Sequence, residues 1–257
     1  MIKAYSNRSL APKSYFPKKD LLAGRIVLVT GAGVDLGRAA ARAFAFHGAT
    51  VVLLDHDVSA LETVYDDILQ MGAPEPAIYP MSLVGAIPIH YEELADRIES
   101  EFGRLDGLLH TETELGIPSP IEHYDVMQWA KVIQVNLHAP FLLTRACLPL
   151  LKRAQEASVV FTSADVGCQG RAYWGAYGVS KFAIEGFIQI LADELETRPH
   201  LRVNGIDPGA VRTRVRAAAY PAEDPLTLPE PEEIVSAYLF LMGQDSRSLN
   251  GVVVTSY

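Results

Sequence analysis

From residue 26 onward, short runs of β-branched and leucine residues alternate with longer stretches whose apolar positions recur every three and four residues. The runs RIVLVT, TVVLLD, PAIYPM, LDGLLH, SVVFTS, LRVNGID and GVVVTS read as seven strands. Between them, GRAAARAFAFHG, SALETVYDDILQMG and YEELADRIESEFG carry the helical period. Such β-α alternation predicts an α/β fold with a parallel sheet and helices on both faces. Right-handed crossovers make it doubly wound, with any ligand site at the C-terminal ends of the strands, near the point where strand order switches. The longest irregular stretch, DPGAVRTRVRAAAYPAEDPLTLPEPEE, follows the sixth strand, and loops of this length tend to be lids or binding segments. No Pro/Gly-rich linker divides the chain, so residues 20–257 are expected to form a single domain behind an N-terminal arm of residues 1–19.

Composition narrows the functional classes. A chain of 257 residues with 49% hydrophobic content supports one sizeable core. Cys147 and Cys168 sit in neither a CxxC pair nor a His-rich cluster, which points away from a disulfide framework or zinc site and toward a reducing, cytoplasmic setting. His47, His110 and His138 have no spacing that suggests a metal, and none is expected. The net charge of −9 argues against general nucleic-acid binding, and no apolar run reaches the length of a membrane span. Residues 1–19 carry Lys3, Arg8, Lys13, Lys18 and Lys19 and no acid. An acid-poor, Ser-containing start is compatible with a transit peptide, but without an apolar h-region a flexible basic arm is the plainer expectation.

Candidate chemistry lies in four short motifs. In GAYGVSKFAIEG, Tyr177 and Lys181 stand four positions apart, on one helical face. LVTGAGVDLGRAAA runs strand, glycine turn and helix start in succession, the context in which a glycine pattern becomes informative. VNLHAPF contributes Asn136, and DPGAV is followed by Thr213. In this order the motifs resemble the short-chain dehydrogenase/reductase family, most closely its bacterial members of unassigned substrate, from about residue 16 to the C-terminus. Gly31, Gly33 and Gly37 match the family's TGxxxGxG turn, Tyr177 and Lys181 its YxxxK, Asn136 its helix-breaking asparagine, and Pro208, Gly209 and Thr213 its PG loop. The resemblance implies a Rossmann-like fold binding NAD(P). It implies hydride exchange with a hydroxyl or carbonyl compound, an unidentified small molecule here, and association as a homodimer or homotetramer. Tyr177 would move the proton, Lys181 would lower the phenol's pKa and bind ribose, and Asn136 would position a water. The dimer is expected to form through the long apolar helices of residues 123–154 and 176–196.

Several positions depart from the family pattern. Counting back from Tyr177, the hydroxyl that should polarise the substrate falls on Ala164, and strand alternation turns the neighbouring Ser163 to the opposite side, with Thr162 one pleat behind. Losing one such donor costs about 2.7–4 kcal/mol of barrier lowering. The middle glycine of the turn is Asp35, which is expected either to cap the following helix or to repel a diphosphate. At ~5 Å and an effective dielectric of ~20, that repulsion is on the order of 3 kcal/mol. Asp55, closing the second strand, favours NAD over NADP, or is an ordinary turn residue. Ser82 stands where relatives place an Asp against adenine, and Thr111, Glu112 and Thr113 replace an Asn-Ala-Gly signature, crowding the nicotinamide wall. Tyr173 and Trp174 line a substrate pocket or pack beneath the loop. Arg212, Arg214 and Arg216 bind an anion or form a solvated basic stretch. Two functions follow: a family member in which hydride transfer is weak or lost and the cleft binds or regulates, or an active NAD-dependent oxidoreductase with a remodelled pocket.

Overall fold

A computed structural model describes residues 8–12 and 15–256. Its strands are β1 (Arg8–Leu10), β2 (Ile26–Thr30), β3 (Thr50–Asp55), β4 (Ala77–Pro80), β5 (Gly107–His110), β6 (Ala157–Thr162), β7 (Leu201–Asp207) and β8 (Val253–Thr255). They form one parallel sheet in the order β1-β8-β7-β6-β5-β2-β3-β4. The chain winds outward from β2 to β4, then restarts beside β2 at β5 and winds the other way. A crevice therefore opens at the C-terminal ends of β2 and β5.

Helices α1 (Asp35–Phe46), α2 (Val58–Gln70) and α8 (Pro231–Met242) cover one face; α3 (Pro88–Phe102), α4 (Val126–Ile133), α5 (Ala139–Leu151) and α6 (Gly175–Glu194) cover the other. The strands divide their residues between the two layers with period two. Val27, Val29, Val51 and Leu53 join the core under α1 and α8, while Leu28, Val52 and Leu54 join the core under α3, α5 and α6.

Seven strands coincide with the predicted runs, and the eighth lies where a flexible arm was expected. Arg8–Leu10 pairs with Val253–Thr255, and the Ala11 amide continues the ladder to the Thr255 carbonyl at 2.8 Å. Tyr15 packs edge-on against Phe240, and its hydroxyl donates to Asp245 at 2.7 Å. An edge strand such as β8 presents unpaired backbone groups, and three residues of the N-terminal segment satisfy them. Lys3 and Lys13 lie outside the described residues.

Two other expectations change. The helix predicted over residues 123–154 is α4 and α5 joined by one π-helical turn, Gln134–His138, which contains Asn136. The irregular stretch after β7 contains a short helix, α7 (Arg214–Ala219), whose Thr213 cap accepts the Arg216 amide at 3.1 Å. Among the described residues no group of His, Cys, Asp and Glu is arranged to hold a metal, and no helix is long and apolar enough to cross a membrane.

Candidate functional site

The crevice holds a cavity of about 1200 Å³ bounded by the turn after β2, the segment after β5, the end of β6, the face of α6 and the segment from Asp207 into α7. The turn is built by its glycines. Gly31 holds φ +64°, and a Cβ on it would meet Glu112 Oε2 at 2.9 Å. A Cβ on Gly37 would sit 2.0 Å from the Gly31 carbonyl oxygen, so only glycine lets α1 seat on the turn. Gly33 donates its amide to Asp55 Oδ2 at 3.1 Å.

Asp35 does not cap α1, as had been one expectation. Val34 is the cap residue, without a side-chain bond, and Asp35 is the first helical residue at φ +45°. The backbone has kept a conformation that glycine adopts readily, and its carboxylate reaches across the cleft mouth instead. Asp35 Oδ2 accepts the Arg214 amide at 3.2 Å and its Nε at 3.4 Å. The repulsion computed for a lone carboxylate is therefore partly offset by a facing guanidinium.

Asp55 is buried, and its oxygens accept three backbone amides, those of Gly33, His56 and Asp57. Glu112 is half-buried, and desolvation together with the nearby Asp55 pushes its carboxyl up to about 7. Ser82 is exposed and stands apart from the cavity lining.

At the far end of the cleft, α6 brings Tyr177 and Lys181 together inside the protein. The Lys181 ammonium lies 5.4 Å from the Tyr177 ring centre, donates to the Thr162 carbonyl at 2.8 Å and reaches Thr113 Oγ1 at 3.4 Å. Burial lowers the Lys181 pKa to about 8, against the opposing pull of Asp207 and Glu185. Burial, reinforced by Asp207 and Asp165, pushes the Tyr177 phenol well above its ordinary value. Asn136 donates to the Glu114 carbonyl at 2.8 Å and to Ser180 Oγ at 3.1 Å, and accepts the Glu114 amide at 2.8 Å. Its side-chain amide thus fixes the strip from Glu114.

The two neighbouring hydroxyls have other partners. Ser163 donates to Glu185 Oε1 at 2.6 Å, turned away as alternation predicts, and Thr162 Oγ1 sits 3.4 Å from the Tyr238 hydroxyl on α8. Pro208, Gly209 and Thr213 line the cavity. Trp174 also lines it, 5.6 Å from Tyr177, whereas Tyr173 is exposed. Each of the three arginines faces an acid, and Arg214 stays largely exposed at the cavity. Arg212 pairs with Glu230, Arg214 with Asp35, and Arg216 with Glu223 while lying 3.8 Å over the Tyr220 ring.

Sequence reasoning missed three charged groups here. Arg8 of β1 donates to Asp207 Oδ2 and Glu185 Oε1, each at 2.5 Å, and to the Ala164 carbonyl at 2.7 Å. Arg8 sits on a three-residue strand with no period to read, and Glu185 and Asp207 pass as ordinary surface acids until the fold buries them.

A glycine turn on a helix start, a cleft of this size and a buried Tyr-Lys pair suit a dinucleotide and a small carbonyl compound. A sequence model described as short chain dehydrogenase matches residues 25–224. The chain is 47% identical over 238 residues to the uncharacterized oxidoreductase YciK of Escherichia coli K12, covering 93% of this chain and 94% of that one. Among solved structures, a chain from Pseudomonas syringae assigned as a short chain dehydrogenase superposes with a TM-score of 0.93 at 52% identity, covering 95% and 99% of the two chains. Another so assigned, from Escherichia coli CFT073 and complexed with NADPH, gives a TM-score of 0.90 at 46% identity over 93% and 99%. On a matching family model and likeness over nearly the full length of these relatives, the chain belongs to the short-chain dehydrogenase/reductase family.

Proposed function

We propose that this protein is an NAD(P)-binding oxidoreductase of hydroxyl or carbonyl compounds in which hydride transfer is slow. The carrying observation is the reaction centre itself: Tyr177 and Lys181 stand buried beside the cavity, while Ala164 occupies the position from which a hydroxyl would polarise the substrate oxygen. A bound nicotinamide supplies or takes the hydride. The protein's part is to hold the dinucleotide on the Gly31–Gly37 turn and the Pro208–Thr213 segment, and to move a proton at the Tyr177 oxygen. That step is hindered, since burial raises the Tyr177 phenol above its ordinary pKa and so makes it a weaker proton donor, and Lys181 is bonded to Thr162 and Thr113.

NADPH is bound by a relative 46% identical. In this chain, Asp55 at the end of β3 and Glu112 beside it add negative charge to the cleft, which supports NAD as the better-held coenzyme. A second reading, binding without turnover, is supported by the Thr113 hydroxyl lying against Lys181, whose ammonium a ribose would otherwise engage. The protein is read as a cytoplasmic homodimer or homotetramer; free thiols at Cys147 and Cys168 support the setting. Exposed Val179, Phe182 and Ile190 on α6, with Met127 and Phe141 on α4 and α5, support the assembly.

The experiment is reduction of a panel of small carbonyl compounds with NADH or NADPH by wild type and Ala164→Ser. The restored hydroxyl is expected to raise turnover at least about tenfold, within the range that one preorganised donor supplies. Equal rates would contradict the assignment of slowness to residue 164.

A further inference from the structure

We propose that Arg8, carried by the N-terminal edge strand, is a positioning residue of the reaction centre, clasping together the three chain segments that form the cavity wall behind Tyr177 and Lys181. Its guanidinium lines the cavity and donates to three targets on three elements. Nη2 reaches the Ala164 carbonyl at 2.7 Å, just past β6 at the hydroxyl position. The same nitrogen reaches Glu185 on α6, the helix that bears Tyr177 and Lys181, and Nη1 reaches Asp207 at the end of β7, next to Pro208-Gly209.

The clasp is largely buried. Glu185 and Asp207 are buried, and Ser163 donates to the same Glu185 oxygen. Gly167 closes over them: a Cβ there would lie 2.5 Å from Glu185 Oε1 and 2.6 Å from Ser163 Oγ. Glycine at 167 lets the backbone close on this network without displacing either oxygen.

Glu185 and Asp207 share one guanidinium; removing that cation leaves two carboxylates without their counter-charge in a largely buried site, where one is expected to take up a proton. Other charged and titratable groups around the clasp are Lys181 and Tyr177 on α6, Tyr238 on α8, Cys168 in the following loop and the Asp165–Arg171 pair at its rim. β1 is thereby part of the active centre as well as an edge strand on β8.

The test uses the full chain with Arg8→Met, which keeps the stem and drops the charge, and Arg8→Lys, which keeps the charge without the fork. Hydrogen exchange is followed by peptide, and thermal stability is followed across pH. In Arg8→Met the amides of residues 163–168 and 207–210 should exchange at least about tenfold faster, with β2 and β5 unchanged. A carboxyl raised above its unfolded pKa supports the fold only while protonated. The melting temperature of Arg8→Met should therefore fall relative to wild type as pH rises through neutrality. Arg8→Lys should restore the wild-type pH profile while exchange at 163–168 stays intermediate. Faster exchange confined to 253–256 would mean that Arg8 merely docks an edge strand, and a pH profile parallel to wild type in Arg8→Met would equally overturn the proposal. None of these readouts needs bound dinucleotide, so they stand or fall separately from the proposed oxidoreduction.

Discussion

Glu112 shows how one residue joins charge, burial and ligand affinity. It lies where the family pattern has a small residue, with Oε2 against Gly31, and desolvation plus Asp55 pushes its carboxyl up to about 7. Glu114 adds to that push, while His56 and Arg214 oppose it. A carboxyl raised in the folded state favours the fold while protonated, and that contribution is lost as pH rises through about 7. Ionisation also places a second charge beside the diphosphate turn. Dinucleotide affinity is therefore expected to fall about tenfold between roughly pH 6 and pH 8, and Glu112→Gln to flatten the profile. Titration of both proteins across that range checks it; a pH-independent wild type would place the carboxyl outside the binding path. At this scale the sequence was legible wherever backbone geometry dictates residue type, as at Gly31, Gly37, Tyr177 and Lys181. It misled where partners come from afar, because the Gly33 amide that engages Asp55 and the Arg214 that faces Asp35 appear only once the chain is folded.

Among the elements, β2, β3, β5, β6, β7 and β8 could be read because both their faces are buried, so their apolar runs are continuous. β1 could not, since three residues taken up by a sheet edge need no pattern of their own. α7 was hidden in the same way, being short, arginine-rich and capped by a threonine whose role depends on the turn before it. The π turn at Asn136 is a local break that periodicity passes over, because one inserted residue leaves the flanking apolar stripes intact. α1 and α7 meet across the cleft through Asp35 and Arg214. Asp35→Gly relieves a left-handed residue at a gain of about 1 kcal/mol and releases Arg214 toward an incoming anion. Melting and coenzyme titration should show an unchanged or higher melting temperature and about tenfold tighter dinucleotide binding. A destabilised variant with unchanged affinity would show that the Asp35–Arg214 contact holds the fold rather than gating the cleft.

Taken whole, the molecule is a sheet whose reversal of winding at β2 and β5 creates the cleft, with charged clasps on its rim and an apolar helical face outside. Val179, Phe182 and Ile190 on α6 leave that face exposed in a single chain, and pairing with a second copy would cover it. Sedimentation at micromolar concentration is expected to show a dimer or tetramer; a monomer would contradict the assembly. The central claim is that the cleft still takes a nicotinamide dinucleotide, NADH in preference to NADPH, although its chemistry has slowed. Thermal-shift titration of the wild-type protein with each coenzyme tests it most directly. A ligand at one hundred times its dissociation constant stabilises by about 2.7 kcal/mol, so a rising melting temperature is expected with both, at lower concentration for NADH. A flat response to both at millimolar concentration would contradict the account.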